Sequence, residues 1–260
     1  MTPSLFLRDK KFAVFGVANK WSIAWAITRA LSHAGARIAL TYLDERTEEM
    51  VRRLAATLHH PLVLPCDVTQ DAQIEAAFGK IQHEFGRLDG LVHAIAFAKK
   101  DELEGSFSKT SREGFRLAMD VSAYSFIALA RGAAPLMEGA EDPSLVTLSY
   151  LGGQRVVHNY NMMGVAKAAL ECSVRYLAAD LGRHKIRVNA ISAGPISTLA
   201  ARGLSGFTHL LKVNLERSPL RRNVTAEEVA DTALYLCSPL ARGVTGEVLY
   251  VDAGFNVIAV

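Results

Sequence analysis

The sequence predicts an α/β fold with a doubly wound, seven-stranded parallel sheet and helices on both faces. Two observations indicate this fold. Short apolar runs rich in Val, Ile and Leu alternate with longer segments of helical period, which is typical of successive β-α units. Half of the 260 residues are hydrophobic and 21% are charged, so the chain can bury a sheet on both faces.

The apolar runs give seven candidate strands. Each run has the length and composition of a strand in a buried parallel sheet. The predicted strands cover residues 12–15, 37–41, 62–66, 90–95, 145–149, 187–191 and 248–251. Parallel strands joined by helices in this order predict a sheet of the Rossmann type.

Two of the helices have distinctive patterns. The first shows four apolar residues at helical spacing, namely Ile74, Phe78, Ile81 and Phe85. These side chains share one face, which we expect to cover the sheet. Near the C-terminus, Thr225 and Glu228 have the spacing of a capping box, so a helix is predicted to begin there and to end near Cys237.

The chain shows no internal repeat and no Pro/Gly-rich linker, so one domain is predicted over residues 1–260. Its least regular stretches are residues 97–110 and 196–222, and both follow predicted strands. An open α/β sheet binds its ligand beyond the carboxyl ends of its strands. These two stretches are therefore the expected substrate-binding loops.

Composition excludes several classes of protein. The net charge of +3 is spread along the chain without charge runs, so nucleic-acid binding is not expected. No apolar stretch approaches the roughly 20 residues of a membrane span, and the N-terminus lacks a signal-peptide pattern, so a cytoplasmic protein is predicted. Cys66, Cys172 and Cys237 are too widely spaced for a metal site and are expected to be core thiols.

The first β-turn-α segment is a candidate nucleotide site. Gly16 follows the first strand, Ser22 precedes a helix, and Ala26 is small enough for close helix packing. Backbone amides and the helix dipole at such a turn favour a pyrophosphate. The fingerprint has fewer glycines than usual, so an alternative remains that Gly16 only ends a strand.

The second and third strands are followed by acidic residues. Asp44 lies about where a carboxylate meets the adenosine ribose. Asp44 and Glu45 would repel a 2′-phosphate whereas Arg46 would attract one, so NAD is favoured modestly over NADP. Asp67 and Val68 are candidates to bracket the adenine, or Asp67 simply ends its strand.

Tyr160 and Lys167 are the candidate catalytic pair. They stand seven residues apart in a helical segment, so their side chains share a face two turns apart. An ammonium near a phenol favours the phenolate and eases proton transfer, which suits reduction of a carbonyl or conjugated carbonyl. Tyr150, after a strand, is a second candidate, although either Tyr alone is more often a core amphiphile.

The sequence resembles the bacterial enoyl-acyl-carrier-protein reductases of the short-chain dehydrogenase/reductase superfamily, over essentially its whole length. In general short-chain dehydrogenases the Tyr and Lys are four residues apart. Here position 164 is glycine and the lysine is Lys167, a spacing that marks the enoyl reductase branch. The matching segments are residues 16–18, 22–24, 66–68, 92–98, 112–115, 148–152, 159–167, 188–196 and 246–248.

This resemblance implies NADH-dependent reduction of trans-2-enoyl-acyl-carrier-protein thioesters in fatty acid elongation. Tyr160 would stabilise the enolate, Lys167 would bind the nicotinamide ribose, and Tyr150 and Ala98 would contact substrate. The implied cofactor-binding residues are Gly16, Ser22, Ile23, Leu43, Asp67, Val68, Ile95, Lys167, Ile196, Ser197, Thr198, Leu199 and Ala200.

Some positions depart from the family pattern. Position 43 often carries a polar side chain in relatives. Because it is leucine here, only its backbone or its apolar surface can contact the ribose. Ala94, Ala96 and Ser197 stand where relatives often have Ser, Gly and Arg, and each is small enough for a backbone-lined site. The segment 202–212 has Ser205, Thr208 and His209 where relatives tend to carry basic residues towards the acidic carrier protein. The candidates to replace them are Arg202, Lys212, Arg221 and Arg222, and the alternative is that these four are ordinary solvated charges. The resemblance also implies a homotetramer, with residues 255–260 contributing to the subunit contacts.

Two alternatives to an enoyl reductase remain open from the residues. One is a short-chain dehydrogenase acting on a ketone or alcohol, which would use the same cofactor and a similar tyrosine. The other is a catalytically silent nucleotide-binding scaffold on the same fold. The presence of Tyr150, Tyr160 and Lys167 together argues against the scaffold.

Overall fold

A computed structural model describes residues 7–198 and 205–259. These residues form one seven-stranded sheet, in which every neighbouring pair of strands is parallel. The strands are β1 Lys11–Phe15, β2 Arg37–Tyr42, β3 Leu62–Pro65, β4 Gly90–His93, β5 Ser144–Ser149, β6 Arg187–Ala193 and β7 Val248–Val251.

The strand order is β3-β2-β1-β4-β5-β6-β7. The direction of winding reverses between β1 and β4, and a doubly wound sheet opens its ligand crevice at such a reversal. The predicted α/β, doubly wound, seven-stranded parallel fold is confirmed.

The described residues also form eight α-helices. They are α1 Ile23–His33, α2 Glu45–Ala55, α3 Asp71–Phe85, α4 Arg112–Met119, α5 Ser125–Met137, α6 Asn161–Leu181, α7 Phe207–Arg217 and α8 Ala226–Leu236. On one face of the sheet α3, α5 and α6 bury side chains such as Phe78, Phe126 and Leu170. On the other face α1, α2 and α8 bury Ile27, Val51 and Val229, so helices cover both faces.

All seven predicted strands are present, and the ends of six differ by one or two residues. β4 ends at His93 rather than residue 95, because the chain leaves the sheet after the Ala94 amide donates to the Phe15 carbonyl. β6 instead extends to Ala193, since that residue still pairs with Val251 of β7. Strand ends therefore depend on neighbouring strands rather than on local composition.

One predicted loop contains a helix. Residues 196–222 were expected to be irregular, but α7 occupies Phe207–Arg217. Its buried face is carried by Phe207 and the polar Asn214, whose side-chain amide donates to Oδ1 of Asn223 at 3.0 Å. Because a buried asparagine interrupts the apolar spacing, the helical period is hidden in the sequence.

The helix features are confirmed. Ile74, Phe78, Ile81 and Phe85 are all buried on α3. The capping box of α8 forms as predicted, and the helix ends next to Cys237.

The cysteines differ from the prediction at one position. Cys66 and Cys237 are buried, and burial raises the pKa of each thiol to about 12. Cys172 on α6 is only half-buried, so it is not a full core thiol. Across the described ranges, no helix is both long and apolar enough to cross a membrane.

Candidate active site

The turn after β1 packs tightly against the end of β4. Gly16 has φ +104°, and a Cβ there would lie 2.3 Å from the Ala94 carbonyl oxygen. Only glycine fits that backbone conformation and that close approach. Gly16 therefore does more than end a strand. It lets the turn after β1 approach the end of β4, at the point where the strand order of the sheet reverses.

Ser22 caps helix α1. Its hydroxyl accepts from the Trp25 amide at 3.2 Å and donates to the Asn19 carbonyl at 2.8 Å. The first turn of α1 carries no acidic side chain, so the positive end of its dipole is not neutralised there. This hydroxyl, a predicted cofactor contact, therefore also stabilises the start of α1.

The ends of β2 and β3 bring the acidic candidates to one edge, where Tyr42 pairs with Pro65. Asp44 caps α2 and also accepts from the Arg46 guanidinium at 2.9 Å. Hydrogen bonding to Arg46 holds the pKa of the Asp44 carboxyl below its usual range. The Asp67 carboxylate accepts from the Thr69 amide and hydroxyl at 2.9 and 2.8 Å, so Asp67 also stabilises the turn before α3.

The two phenols lie together beyond β5. Tyr150 follows that strand and Tyr160 precedes α6, and their rings meet edge to face with centroids 5.0 Å apart. A Cβ at Gly152 would lie 2.4 Å from the Tyr160 ring, and one at Gly164 would lie 2.8 Å from the Gly152 carbonyl oxygen. Glycine at 164 thus lets the turn after β5 pack directly on α6.

Lys167 is buried two turns into α6, and its ammonium donates to the Leu148 carbonyl at 2.7 Å. Burial lowers the pKa of Lys167 to about 8, partly opposed by the negative charge of Glu171. Burial raises the pKa of Tyr150 to about 12 and that of Tyr160 further. An ammonium near a phenol favours the phenolate, but here desolvation dominates, so both phenols are neutral and able to donate a hydrogen bond.

A cavity of about 620 Å³ opens beside these phenols. Predicted residues that line it are Ile23, Ala98, Tyr150, Tyr160, Ile196 and Thr198. Lining residues that the sequence analysis did not single out include Val157, Met163, Phe207 and Leu210. In the sequence these residues are marked only by their apolar character and spacing, which fit a helix that packs in the core equally well.

The other predicted residues lie elsewhere or are not placed. Leu43 is exposed, Asp67 and the buried Val68 follow β3, and none of the three lines the cavity. Ile95 packs within 3.1 Å of the Cβ position of Gly16. Ser197 follows β6 next to the cavity residues. Leu199 and Ala200 lie outside the described residues.

Two buried polar groups behind the site carried no motif in the sequence. His93 bonds to the Thr147 and Ser125 hydroxyls at 2.7 and 2.9 Å, and burial lowers its pKa to about 3. This histidine is therefore neutral. The buried Glu171 carboxylate accepts from Ser149 and Gln154 at 2.5 and 3.0 Å, so it fixes both ends of the turn that follows β5.

Residues 16–256 match a family model described as enoyl-(acyl carrier protein) reductase. The chain belongs to this family. Similar members are the enoyl-acyl-carrier-protein reductases (NADH) FabI of Bacillus cereus, 56% identical over 97% of this chain and 98% of the relative, and of Bacillus subtilis, 54% identical over 97% and 98%. The resemblance found in the sequence is confirmed.

Solved structures of the family share the whole fold. The Bacillus cereus enoyl-acyl carrier protein reductase with NADP+ and indole naphthyridinone gives a TM-score of 0.96 at 54% identity, covering 98% of this chain and 99% of that one. The reductase of Anaplasma phagocytophilum in complex with NAD gives 0.95 at 47% identity, covering 100% and 98%.

Proposed function

We propose that this protein is an enoyl-acyl-carrier-protein reductase that uses NADH to reduce the double bond of trans-2-enoyl thioesters. The observation that carries the proposal is the placement of Tyr150, Tyr160 and Lys167. The two phenols line a largely apolar cavity of about 620 Å³ beyond the carboxyl ends of the strands, whereas Lys167 is not among its lining residues and donates to the Leu148 carbonyl of β5. Such a cavity suits an acyl chain with a polar thioester end.

The residues at the sheet reversal fit a nicotinamide dinucleotide. The glycine turn at Gly16 and the unneutralised start of α1 at Ser22 and Ile23 suit the pyrophosphate. Leu43, Asp67 and Val68 follow β2 and β3 and would contact the adenosine, and Ile95, which packs against Gly16, would also contact the cofactor. Lys167 and residues 196–198 would hold the nicotinamide ribose and amide, together with Leu199 and Ala200. When bound, the reduced nicotinamide supplies the hydride for the β-carbon.

The protein side chains then stabilise the negative charge that develops on the carbonyl oxygen of the thioester. The Tyr160 hydroxyl, kept protonated by burial, donates a hydrogen bond to the carbonyl oxygen as negative charge develops there. Lys167 adds an ammonium in a desolvated setting, where electrostatic stabilisation is strongest. The resulting enolate takes a proton at its α-carbon. Tyr150 and Ala98 bound the thioester end of the cavity.

Coenzyme choice rests on the start of α2. The Bacillus cereus structure was solved with NADP+ and the Anaplasma structure with NAD, and curated relatives carry NADH in their names. In this chain the Asp44 carboxylate pairs with the Arg46 guanidinium, which occupies the basic side chain that would otherwise attract a 2′-phosphate. NADH is therefore the proposed coenzyme, and NADPH is disfavoured.

The Asp44→Asn variant tests this choice. Asparagine keeps the helix cap but removes the charge and releases Arg46. We expect kcat/KM with NADPH to rise relative to NADH by about ten-fold, the equivalent of roughly 1.4 kcal/mol. Steady-state kinetics with both coenzymes measure the ratio. An unchanged ratio would show that Asp44 does not face the ribose.

The dependence of kcat/KM on pH should report the ionisation of the Lys167 ammonium. Its pKa is lowered to about 8, so the ammonium is present below that pH and is lost as pH rises through it. We expect kcat/KM for the enoyl thioester to fall above about pH 8, approaching ten-fold per pH unit. Lys167→Arg should remove this alkaline fall, because a guanidinium stays charged. A flat profile in the wild type up to about pH 10 would show that activity does not depend on loss of a proton from Lys167 in this range.

The assembly and setting are further proposals. We propose a single domain over residues 1–260, with substrate loops at residues 97–110 and 196–222, whose members Ala98 and Leu210 line the cavity. The family membership supports a cytoplasmic homotetramer acting on acyl-carrier-protein-bound substrate. Light scattering on the purified protein would test the tetramer by its mass.

The function itself is tested by offering two thioesters. We expect NADH oxidation with a trans-2-enoyl thioester and none with a 3-oxoacyl thioester, followed at the nicotinamide absorbance band. Oxidation with the 3-oxoacyl thioester alone would favour the ketone dehydrogenase. No oxidation with either, using NADH or NADPH, would favour the silent scaffold.

A further inference from the structure

Two asparagines flank Tyr160, and each donates to a different loop. The Asn159 side-chain amide donates to the Ser205 carbonyl at 3.1 Å, and that of Asn161 donates to the Gly105 carbonyl at 3.2 Å. Ser205 lies just before α7, and Gly105 lies between β4 and α4. The residues on either side of Tyr160 are thus bonded to two different loops, each of which contributes residues to the cavity wall.

The local backbone suits these bonds. Asn159 has φ +57°, a left-handed conformation in which Asn and Asp are several-fold enriched. Asn161 is the first residue of α6, so its side chain lies at the start of the helix. Gly105 also has positive φ, at +76°. Both bonds therefore join a fixed helix end to turns with special backbone geometry.

The two loops supply much of the cavity wall. Ala98, Lys100 and Leu103 come from the first loop, and Phe207 and Leu210 from the second. The first loop is anchored at its start, where the Ser122 hydroxyl bonds to both the amide and the carbonyl of Phe97. It is anchored again at Ser111, which bonds to Glu102. The Asn161 bond at Gly105 ties its middle directly to the residue after Tyr160.

We propose that Asn159 and Asn161 are positioning residues. Their side-chain amides hold the two substrate loops, at Ser205 and Gly105, in place relative to Tyr160, and so determine how tightly the acyl chain binds. The inference rests on the proposed function for its substrate, because the loops are substrate loops only if the cavity takes the acyl chain. Its structural part, the fixing of both loops by these two amides, stands on the hydrogen bonds alone.

The Asn159→Asp and Asn161→Asp variants each remove the side-chain N–H donor and keep the shape of the side chain. Asn159→Asp also keeps a residue that tolerates positive φ, and Asn159→Gly serves as a second variant that preserves the backbone. For each variant we expect KM for a long-chain enoyl thioester to rise about three- to ten-fold, the effect of one lost hydrogen bond. KM for NADH should stay unchanged, and a crotonyl thioester should be affected less than the long chain.

Hydrogen exchange gives a readout that needs no activity. We expect faster amide exchange in peptides covering residues 97–110 for Asn161→Asp, and in peptides covering residues 205–217 for Asn159→Asp. Gln82→Glu is the matched control, since it makes the same amide-to-acid change on an exposed face of α3. Its exchange in both loops should equal that of the wild type.

Three outcomes would overturn the inference: unchanged exchange in both variants, an equal rise throughout the protein, or an unchanged KM for the long-chain substrate in an active enzyme. Failure of the proposed function is a separate result, in which the wild type shows no enoyl-dependent NADH oxidation. The exchange measurement then still decides whether the two asparagines hold the loops.

Discussion

Replacing Lys167 with methionine is expected to lower kcat/KM for the enoyl thioester by about 10²- to 10³-fold, the range found when one preorganised electrostatic donor is removed. Lys167 is buried, and its ammonium donates to the Leu148 carbonyl. Methionine has a similar length and fills the space without charge. Steady-state kinetics under saturating NADH, together with NADH binding by fluorescence, measure the loss.

The fold should survive this change, because a buried ammonium is costly to desolvate and an apolar replacement is often neutral or stabilising. Lys80→Met, on the exposed face of α3, is the matched control and should keep wild-type kinetics. If Lys167→Met keeps kcat/KM within about three-fold of the wild type, Lys167 is not part of the catalytic centre.

Replacing Gly16 with alanine is expected to lower the free energy of unfolding by roughly 2–6 kcal/mol. Part of the cost is the strained backbone at φ +104°, about 1–3 kcal/mol. The rest is the contact of the new Cβ with the Ala94 carbonyl oxygen, 2.3 Å away, since forced overpacking costs about 1–3 kcal/mol. The thermal midpoint should fall by roughly 5–15 °C in calorimetry, and NADH binding should weaken because the turn moves.

Gly79→Ala provides the matched control. Gly79 lies within α3, and a Cβ there would meet no atom within 4 Å. Alanine favours the helix over glycine by about 1 kcal/mol, so this variant should be as stable as the wild type or slightly more stable. A Gly16→Ala protein with an unchanged midpoint would show that the β1-β4 approach is looser than the structure indicates.

Much of the fold and part of the site follow from local patterns. The seven apolar runs predict the sheet because a parallel strand buried on both faces has to be apolar throughout. Tyr160 and Lys167 are predictable as a candidate pair from their seven-residue spacing, although in the structure Tyr160 precedes α6 and only Lys167 lies within it. Thr225 and Glu228 likewise mark the start of α8 by a bond between near neighbours.

Other features depend on contacts between distant segments. The need for glycine at 164 arises from the Gly152 carbonyl, which approaches from the turn after β5. Helix α7 was missed because its buried face includes Asn214, whose partner Asn223 lies beyond the helix. The raised pKa values of the phenols come from burial by surrounding segments, which no spacing in the sequence encodes.

The central claim is reduction of a carbon–carbon double bond at Tyr160, and the position of transferred hydrogen tests it most directly. The protein would be given a trans-2-enoyl thioester and NADH carrying deuterium at the transferable position, and the product examined by NMR. We predict a saturated thioester with deuterium on the β-carbon and a solvent proton on the α-carbon, formed much more slowly by Tyr160→Phe. An intact double bond, or deuterium on a carbon bearing a hydroxyl group, would contradict the account.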